Sequence, residues 1–450
     1  MIVGAGFLGR LLAATMARDG HEVTLLDNEP ARLEGLEGGA DLRVLCGSAT
    51  SLAVLRQAGA GSADAVVALT GGDSRNALIC GLARSLGARN CLARIRDVEL
   101  AEAAHESGLD HIGIDQAISP EGLAVEALLR ITTSPGCVDA IDLASGRVGL
   151  RAFIPAKGAV LTGCTVLQAR TTHPGSWLVA AVGGVDGWQV PGPNAVLTAG
   201  EPVYICAASD EFRKLLPLFD PSAKQATRVV VVGAGAIGEP LACRLSKAGL
   251  RVQLLERDPL RAARAAHILD PLGVEVLAGA LTDSDLVSRI HLGECDVLLA
   301  TGEEDQDNLM VALLARARGV KRVVAVANHE PSAKLMSSLD LDAVVSPRRL
   351  AAGVVTRALR GHSVAQLARL SDEHLEFVEL TVTEGSGAAV KPLRHLGLPR
   401  GSLVLAVVDG AGAVRIPGPD DQLRVGDHVV MVCLSEHEQA VTRILGGAAR

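Results

Sequence analysis

The sequence predicts an α/β protein: two parallel sheets, each followed by a small α+β domain. Three observations carry this prediction. Short apolar runs alternate with helical stretches over about the first 115 residues of each half. A glycine-rich loop at the start of the chain returns 229 residues later. Further segments keep nearly the same offset, so a whole two-domain unit is duplicated.

In the first copy, strands fit near 1–3, 22–27, 42–46, 65–69, 91–95 and 111–114. Ala65–Leu69 reads as a strand buried on both faces, as parallel sheets require. The second copy repeats the elements. His21–Asp27 answers Leu250–Glu256, Ala65–Thr70 answers Asp296–Thr301, and Asp73-x-x-Asn76 answers Asp305-x-x-Asn308. Ser119-Pro120 opens a helix, with Ser as N-cap and Pro in the first turn. Leu123, Ala124, Ala127, Leu128 and Ile131 form its apolar stripe, and the helix after Pro347 carries Leu350, Val354, Val355, Ala358 and Leu359. These stripes are candidate surfaces for pairing the sheet units. Strands, turns and one short helix fit 148–208 and 376–434, with linkers near 134–146, 209–226 and 361–375. The expected boundaries are 1–117 and 227–344 for the parallel sheets, 118–146 and 345–375 for the crossover helices with their linkers, 147–208 and 376–450 for the small domains, and 209–226 for the central linker.

Both loops read Gly-x-Gly-x-x-Gly between a strand and a helix, which makes the parallel sheets Rossmann-like. Such glycines let the backbone approach a pyrophosphate, and the helix N-terminus offers N–H groups to it. Asp27 lies 18 residues after Gly9 and Glu256 lies 18 after Gly238, each placing an acid where ribose hydroxyls bind. An acid there favours NAD over NADP and also suits the ribose of ADP or ATP. Thr70-Gly71-Gly72-Asp73 and Thr301-Gly302-Glu303-Glu304-Asp305 fall at the strand-end crevice, where Asp73 and Asp305 also suit a helix N-terminus. Arg94 ends an otherwise apolar strand with a cation suited to phosphate, whereas the second copy has Val326.

Composition narrows the function classes. Eight aromatic residues are too few for base-stacking platforms, and a net charge of -8 argues against a broad phosphate-binding face. No apolar run reaches membrane-spanning length. Gly4 and Arg10 interrupt the start too early for a signal peptide, and the brief Met1–Val3 strand suggests a start a few residues upstream. The nine cysteines lack any C-x-x-C spacing and read as core residues rather than disulfides or zinc ligands. Twelve scattered histidines show no metal-like pair, and no nucleophile motif occurs.

With these motifs the chain resembles the TrkA family over essentially its whole length. Gly4-Ala5-Gly6-x-x-Gly9 with Asp27, Asp41-Leu42-Arg43-Val44, Leu55–Ala60, Ala93-Arg94-Ile95-Arg96, Ile118–Glu121 and Gly426–Val430 carry the resemblance. It implies two Rossmann-like RCK (TrkA-N) domains, each followed by an α+β TrkA-C domain, in a peripheral regulatory subunit of a potassium-uptake system. The implied ligand is NAD or NADH, with ATP or ADP as the alternative. The implied contacts in the first copy are Gly4, Ala5, Gly6, Phe7, Leu8, Gly9, Asp27, Gly47, Ser48, Thr70, Gly71 and Arg94. In the second they are Gly233, Ala234, Gly235, Ala236, Ile237, Gly238, Glu256, Gly279, Ala280, Thr301, Gly302 and Glu303. The chain departs from the family at Gly47-Ser48-Ala49 and Gly279-Ala280-Leu281, where Gly-Asp-Ala is common. Phe7 and Ala236 stand where some relatives carry a phosphate-binding arginine.

The resemblance implies an integral membrane potassium transporter, TrkH- or TrkG-like, as partner, and a homo-oligomer, dimer or tetramer ring, at the cytoplasmic face of the membrane. A sensor without chemistry is the favoured reading. A soluble NAD-dependent oxidoreductase and an RCK-type regulator of another ion transporter are the alternatives. The expected exclusions are enzymatic chemistry, a metal site and nucleic-acid binding.

Overall fold

A computed structural model describes residues 1–18, 20–36, 41–97, 100–101, 109–144, 146–184, 187–209, 211–222, 224–339, 341–360, 364–369 and 375–446. Two compact units emerge. One joins Met1–Leu129 to Thr227–Leu359, and the other joins Arg130–Ala226 to Arg360–Arg450. Each therefore contains the corresponding portion of both copies.

The chain begins with β1 (Ile2–Val3), β2 (Val23–Asp27), β3 (Leu42–Cys46), β4 (Ala65–Ala68), β5 (Asn90–Arg94) and β6 (Gln116–Ile118). They pair in the order β3-β2-β1-β4-β5-β6, all parallel. Connecting helices include α1 (Phe7–Arg18), α2 (Leu52–Gln57), α3 (Asp73–Ser85) and the crossover helix α4 (Pro120–Thr133). The Ser119 hydroxyl accepts the Gly122 N–H at 2.9 Å, the expected N-cap. Next come β7 (Cys137–Leu143), β8 (Val148–Phe153), α5 (Val166–Thr172), β9 (Trp177–Gly184), β10 (Gly187–Gln189), β11 (Val203–Ala208) and α6 (Phe212–Phe219), the strands forming an antiparallel sheet ordered β10-β9-β11-β8-β7.

The second copy repeats both patterns. Its parallel sheet, ordered β14-β13-β12-β15-β16-β17, uses β12 (Arg228–Val232), β13 (Arg251–Glu256), β14 (Glu275–Ala278), β15 (Val297–Ala300), β16 (Arg322–Val326) and β17 (Ala343–Val345). Its helices are α7 (Gly238–Lys247), α8 (Pro259–Leu269), α9 (Ser284–Arg289), α10 (Asp305–Ala317), α11 (Glu330–Ser337) and the crossover helix α12 (Pro347–Arg360). The chain closes with β18 (Val364–Arg369), β19 (Leu375–Thr381), β20 (Leu403–Val408), β21 (Val414–Arg415), β22 (His428–Leu434) and α13 (Glu438–Gly446), in sheet order β18-β19-β22-β20-β21. Both parallel sheets have the 3-2-1-4-5-6 order of a dinucleotide-binding fold, whose crevice lies where strand order reverses.

Three sequence expectations shift. The sixth strand of the first copy spans 116–118 instead of 111–114, because Asp110–Ile112 is a 3₁₀ turn and Gly113 adopts φ +85°. Pairing resumes only past that turn, where the Asp115 carboxylate accepts the Cys91 N–H at 2.6 Å. The stretches near 134–146 and 361–375, expected as linkers, hold β7 and β18, the first strand of each antiparallel sheet. A bulge between Cys137 and Asp139 breaks the alternation that would have marked β7. Residues 361–363 and 370–374 of that second stretch lie outside the described residues. The central linker contains α6, with Pro217 inside it.

The crossover helices exchange partners within the first unit. Ala351 and Val355 of α12 are fully buried in one cluster with Ile2, Leu8, Leu12, Leu25 and Ile118 of the first copy. Glu126 of α4 makes an ion pair with Arg244 of α7. The apolar stripe of α12 and an ion pair from α4 thus join the two sheets of a single chain. In the second unit the two antiparallel sheets share a core where Tyr204 meets Phe377, ring centroids 5.3 Å apart.

Asp296 anchors the start of β12. One carboxylate oxygen accepts the N–H groups of Thr227 and Arg228 at 2.9 and 3.1 Å and the Thr227 hydroxyl at 2.9 Å, while the other meets Lys321 at 3.1 Å. Burial works to raise this carboxyl, but those bonds outweigh it and hold the pKa at about 2.

Two outcomes follow from this packing. Val355→Ala should cost about 2 kcal/mol, and hydrogen exchange should quicken in β1 and β2, which belong to the other copy; full protection there would refute the exchanged packing. Because the Asp296 pKa is depressed on folding, its contribution is complete above the ordinary carboxylate range and fades as pH falls toward about 2. The gap in urea midpoint between wild type and Asp296→Asn should therefore be widest near neutrality and close through that acid window.

Candidate functional site

Each glycine in the first loop has a separate job. Gly4 adopts φ +105°, and a side chain there would meet the Leu69 backbone at 3.0 Å. A Cβ on Gly9 would lie 1.8 Å from the Gly4 carbonyl oxygen, so this glycine lets α1 close on the loop. A Cβ on Gly6 would meet nothing within 4 Å and would project into open space. Ala5 and Leu8 are buried and Phe7 is half-buried, so Leu8 serves packing under α1.

Asp27, 5 % exposed, ends β2 beside this loop. Its carboxylate accepts the Ala5 N–H at 2.6 Å through one oxygen and the Glu29 N–H at 2.9 Å through the other. The acid expected to meet a ribose therefore also staples the glycine loop to the second strand. Gly47 continues this edge, donating its N–H to the Asp27 carbonyl at 2.8 Å. A Cβ on Gly47 would press on Val54 at 2.9 Å, which explains the glycine there.

These groups line a cleft of about 210 Å³ bounded by Gly4, Asp27, Gly47, Ser48, Thr70 and Arg75. Asn28 and Thr50 also border it. Arg75 and Asn28 were not singled out in the sequence. Their available signal was position: Asn28 directly follows the strand-two acid, and Arg75 lies in the first turn of α3 just past Gly71-Gly72. The turn after β4 is fixed by buried Asn76. Its amide oxygen accepts the Thr70 N–H at 2.9 Å and hydroxyl at 2.6 Å, and its NH₂ donates to the carbonyls of Thr70 and Arg94. Asp73 accepts the N–H groups of Arg96 and Asp97 and so secures the segment after β5.

Arg94 is held away from this cleft's lining. Its guanidinium pairs with Glu121, at the start of α4, at 2.9 Å, and Arg96 reaches the same carboxylate at 3.5 Å. Arg348, from the start of α12, lies over the Phe7 ring, 5.6 Å from its centroid. Burial lowers the Arg348 pKa, nearby Arg94 lowers it further, and Asp305 and Glu121 oppose the shift. The second copy thus places a cation against the glycine loop of the first.

The second crevice uses the same skeleton. Gly233 has φ +104°, a Cβ on Gly238 would lie 1.8 Å from the Gly233 carbonyl oxygen, and Ile237 packs beneath α7. Glu256 accepts the Ala234 N–H at 2.8 Å and the Asp258 N–H at 2.9 Å, repeating the staple. Gly279, at φ +146°, donates to the Glu256 carbonyl at 2.8 Å, while Ala280 accepts the Asp283 N–H. The Thr301 hydroxyl donates to the Val232 and Gly233 carbonyls, and Asn308 clamps Gly302. The mouth differs. Glu303 pairs with Arg261 at 2.9 Å, and a Cβ on Gly235 would meet Arg261 Nη2 at 3.4 Å and Glu303 Oε1 at 3.6 Å. Ala236 is exposed.

Comparison with known proteins repeats the match to the parallel-sheet domain in both halves and matches the small domain once. The TrkA-N domain model matches residues 1–120 and 229–347, and the TrkA-C domain model matches 377–446. The Trk system potassium uptake protein TrkA of Vibrio alginolyticus is 30% identical over 445 residues, covering 97% of this chain and 96% of that protein. Its namesake from Halomonas elongata is 29% identical over 441 residues, with 97% and 96% coverage. The crystal structure of the GsuK RCK domain superposes with a TM-score of 0.62 at 19% identity, covering 99% of this chain and 94% of that one. The GsuK channel bound to NAD gives 0.63 at 19% identity, covering 99% and 78%. These structural likenesses concern the fold. Matched TrkA-N models over more than half its length and relatives aligned from end to end place the chain in the TrkA family of Trk system potassium uptake proteins.

Proposed function

We propose that this protein is a nucleotide-binding regulatory subunit that gates an integral membrane potassium transporter of the TrkH or TrkG type. NAD or NADH is the proposed ligand, and ATP or ADP the alternative. The observation that carries the reading is the open space before Gly6 in a loop stapled to Asp27, whose first glycine, Gly4, lines the cleft together with Asp27 and Arg75. A pyrophosphate needs such an approach to bare backbone at a helix N-terminus. The transporter partner is supported by the names of the full-length relatives.

In this reading Ala5, Gly6 and the first turn of α1 supply backbone N–H groups to phosphate, and Gly9 keeps the helix close. The staple leaves further lone pairs on the Asp27 carboxylate for ribose hydroxyls. Arg75 supplies a cation at the cleft, while Ser48 and Thr70 offer hydroxyls on either side. The proposed coupling runs through Phe7, Arg348 and the Arg94–Glu121 pair, which lie between the loop and both crossover helices. Ligand affinity then depends on where α12 sits, and the ligand shifts the populations of the paired sheets. Among the described residues no helix is long and apolar enough to cross a membrane. The subunit is proposed to dock from the cytoplasmic side as a homo-oligomer, a dimer or tetramer ring; two chains already supply four nucleotide-binding sheets.

Gly6→Val should weaken NADH or ADP binding by at least about tenfold, equivalent to about 1.4 kcal/mol, with an unchanged melting temperature. Calorimetric affinity equal to wild type would remove the first crevice from the proposal. Arg348→Ala should leave the fold intact and reduce the nucleotide dependence of potassium flux when the chain is combined with its transporter in proteoliposomes. Flux indifferent to nucleotide with the wild-type chain would overturn the regulatory reading.

A further inference from the structure

The duplicated crevices carry opposite charge patterns at their mouths. Where the first copy has Arg10, the second has Glu239. Gly72 gives way to Glu303 and Glu304, and Arg75 to Asp307. Three arginines from the opposite bank meet these new acids. Arg261 pairs with Glu303 at 2.9 Å, Arg257 with Asp307 at 2.9 Å, and Arg264 approaches Glu239 to 4.0 Å. In the first copy Arg32, the counterpart of Arg261, turns instead to Glu29 at 2.9 Å and lies 3.9 Å from Asp27. The space before the second glycine of the loop is open at Gly6, whereas at Gly235 the ends of Arg261 and Glu303 cover it.

We infer that Glu303 is the specificity-determining residue of the second crevice: it holds Arg261 across the loop and so keeps pyrophosphate-bearing adenine nucleotides out until Arg261 exchanges Glu303 for phosphate. This rests on the proposal that the loops bind nucleotides, and assigns the two copies unequal roles. Three features support the exchange. A guanidinium binds carboxylate and phosphate with the same fork of donors. Both partners are substantially exposed, Arg261 at 45 % and Glu303 at 68 % of side-chain area, so their pair is weak enough to yield to a ligand. Finally, Glu303 places a negative charge beside the position that a phosphate oxygen would take, and Asp307 adds another at the same mouth. Among the described residues, the first crevice, with Arg75 and two glycines there, has no side chain within 4 Å of the place a Cβ on Gly6 would take.

The test uses the full chain with Gly6→Val, which removes the first crevice as a competitor, and isothermal titration with ADP and NADH. In this background the second crevice should bind feebly. Adding Glu303→Gly, the first copy's residue, should strengthen binding by at least about tenfold, and Glu303→Gln should give part of that gain. Adding Arg261→Ala instead should give no gain, because it opens the loop but removes the phosphate partner. Equal binding with and without Glu303, or an equal gain from Arg261→Ala, would overturn the gate. Failure of Gly6→Val to reduce binding to the otherwise wild-type chain would count against the first-crevice reading instead, so the two failures are distinguishable.

Discussion

Both crevices depend on a short bond from a buried carboxylate to a glycine-loop amide. Asp27 accepts the Ala5 N–H at 2.6 Å, and Glu256 accepts the Ala234 N–H at 2.8 Å. The loop leaves its strand at a glycine with positive φ whose N–H still donates to the second strand, Gly4 to Leu26 at 2.8 Å and Gly233 to Leu255 at 2.7 Å, so the ladder ends at the next residue. An N–H buried there needs a partner, and a charged acceptor makes a stronger one than a carbonyl. The other carboxylate oxygen fixes the turn beyond the second strand through Glu29 or Asp258. One side chain thereby locks the loop, the strand tip and the following turn into a single edge. That acid also needs a side chain long enough to reach the loop, and Asp and Glu both satisfy this from the same register position, one residue past the Val3–Leu26 and Val232–Leu255 pairs.

Duplication has kept this edge while changing what surrounds it. Conserving the skeleton requires glycine at positions where a Cβ would strike backbone, as at Gly9 and Gly238. The rim carries no such steric demand, so its charges can differ without disturbing the sheet. Arg75 and Asp307 occupy corresponding places in the first turn of α3 and α10, each followed by the asparagine that clamps the preceding turn. The buried clamp is common to both copies and the neighbouring charge is reversed. The rim charge can thus differ in one copy independently of the other, while strand order and loop geometry remain shared.

The sheets were legible because parallel strands buried on both faces leave nearly continuous apolar runs, such as Val229–Val232 and Val297–Ala300. The glycine loops were legible because close backbone approach demands glycine at Gly4 and Gly9 and again at Gly233 and Gly238. Beyond these, local pattern carried less. Gly113 ended one reading and displaced the sixth strand, and a bulge hid β7 inside an expected linker. The candidate crevice was only partly legible: Asp27, Gly47, Ser48 and Thr70 do line the first cleft, but Arg94 faces Glu121. Spacing along a strand locates a side chain's Cα, whereas the direction of a long guanidinium is decided by the acid nearest in space. Glu121 is 27 residues away in sequence, so no local motif could announce that pairing.

The exchanged crossover helices give the two crevices a physical route to influence each other. Val355 and Ala351 bury α12 against the first sheet, so α12 cannot shift without disturbing Leu8 and Leu12 beneath the first glycine loop. At the same helix's start, Arg348 lies on Phe7 of that loop. The second copy therefore reaches this loop and its helix twice, through apolar packing against Leu8 and Leu12 and through a cation on Phe7. A closely packed contact and a polar contact tolerate displacement differently: the apolar cluster resists separation, while the guanidinium can slide over an aromatic face at little cost. In the proposed reading, rotation about the buried stripe would be easier than its separation, and it would move charge relative to the crevice while leaving both sheets intact, the kind of change that differential ligand affinity can bias.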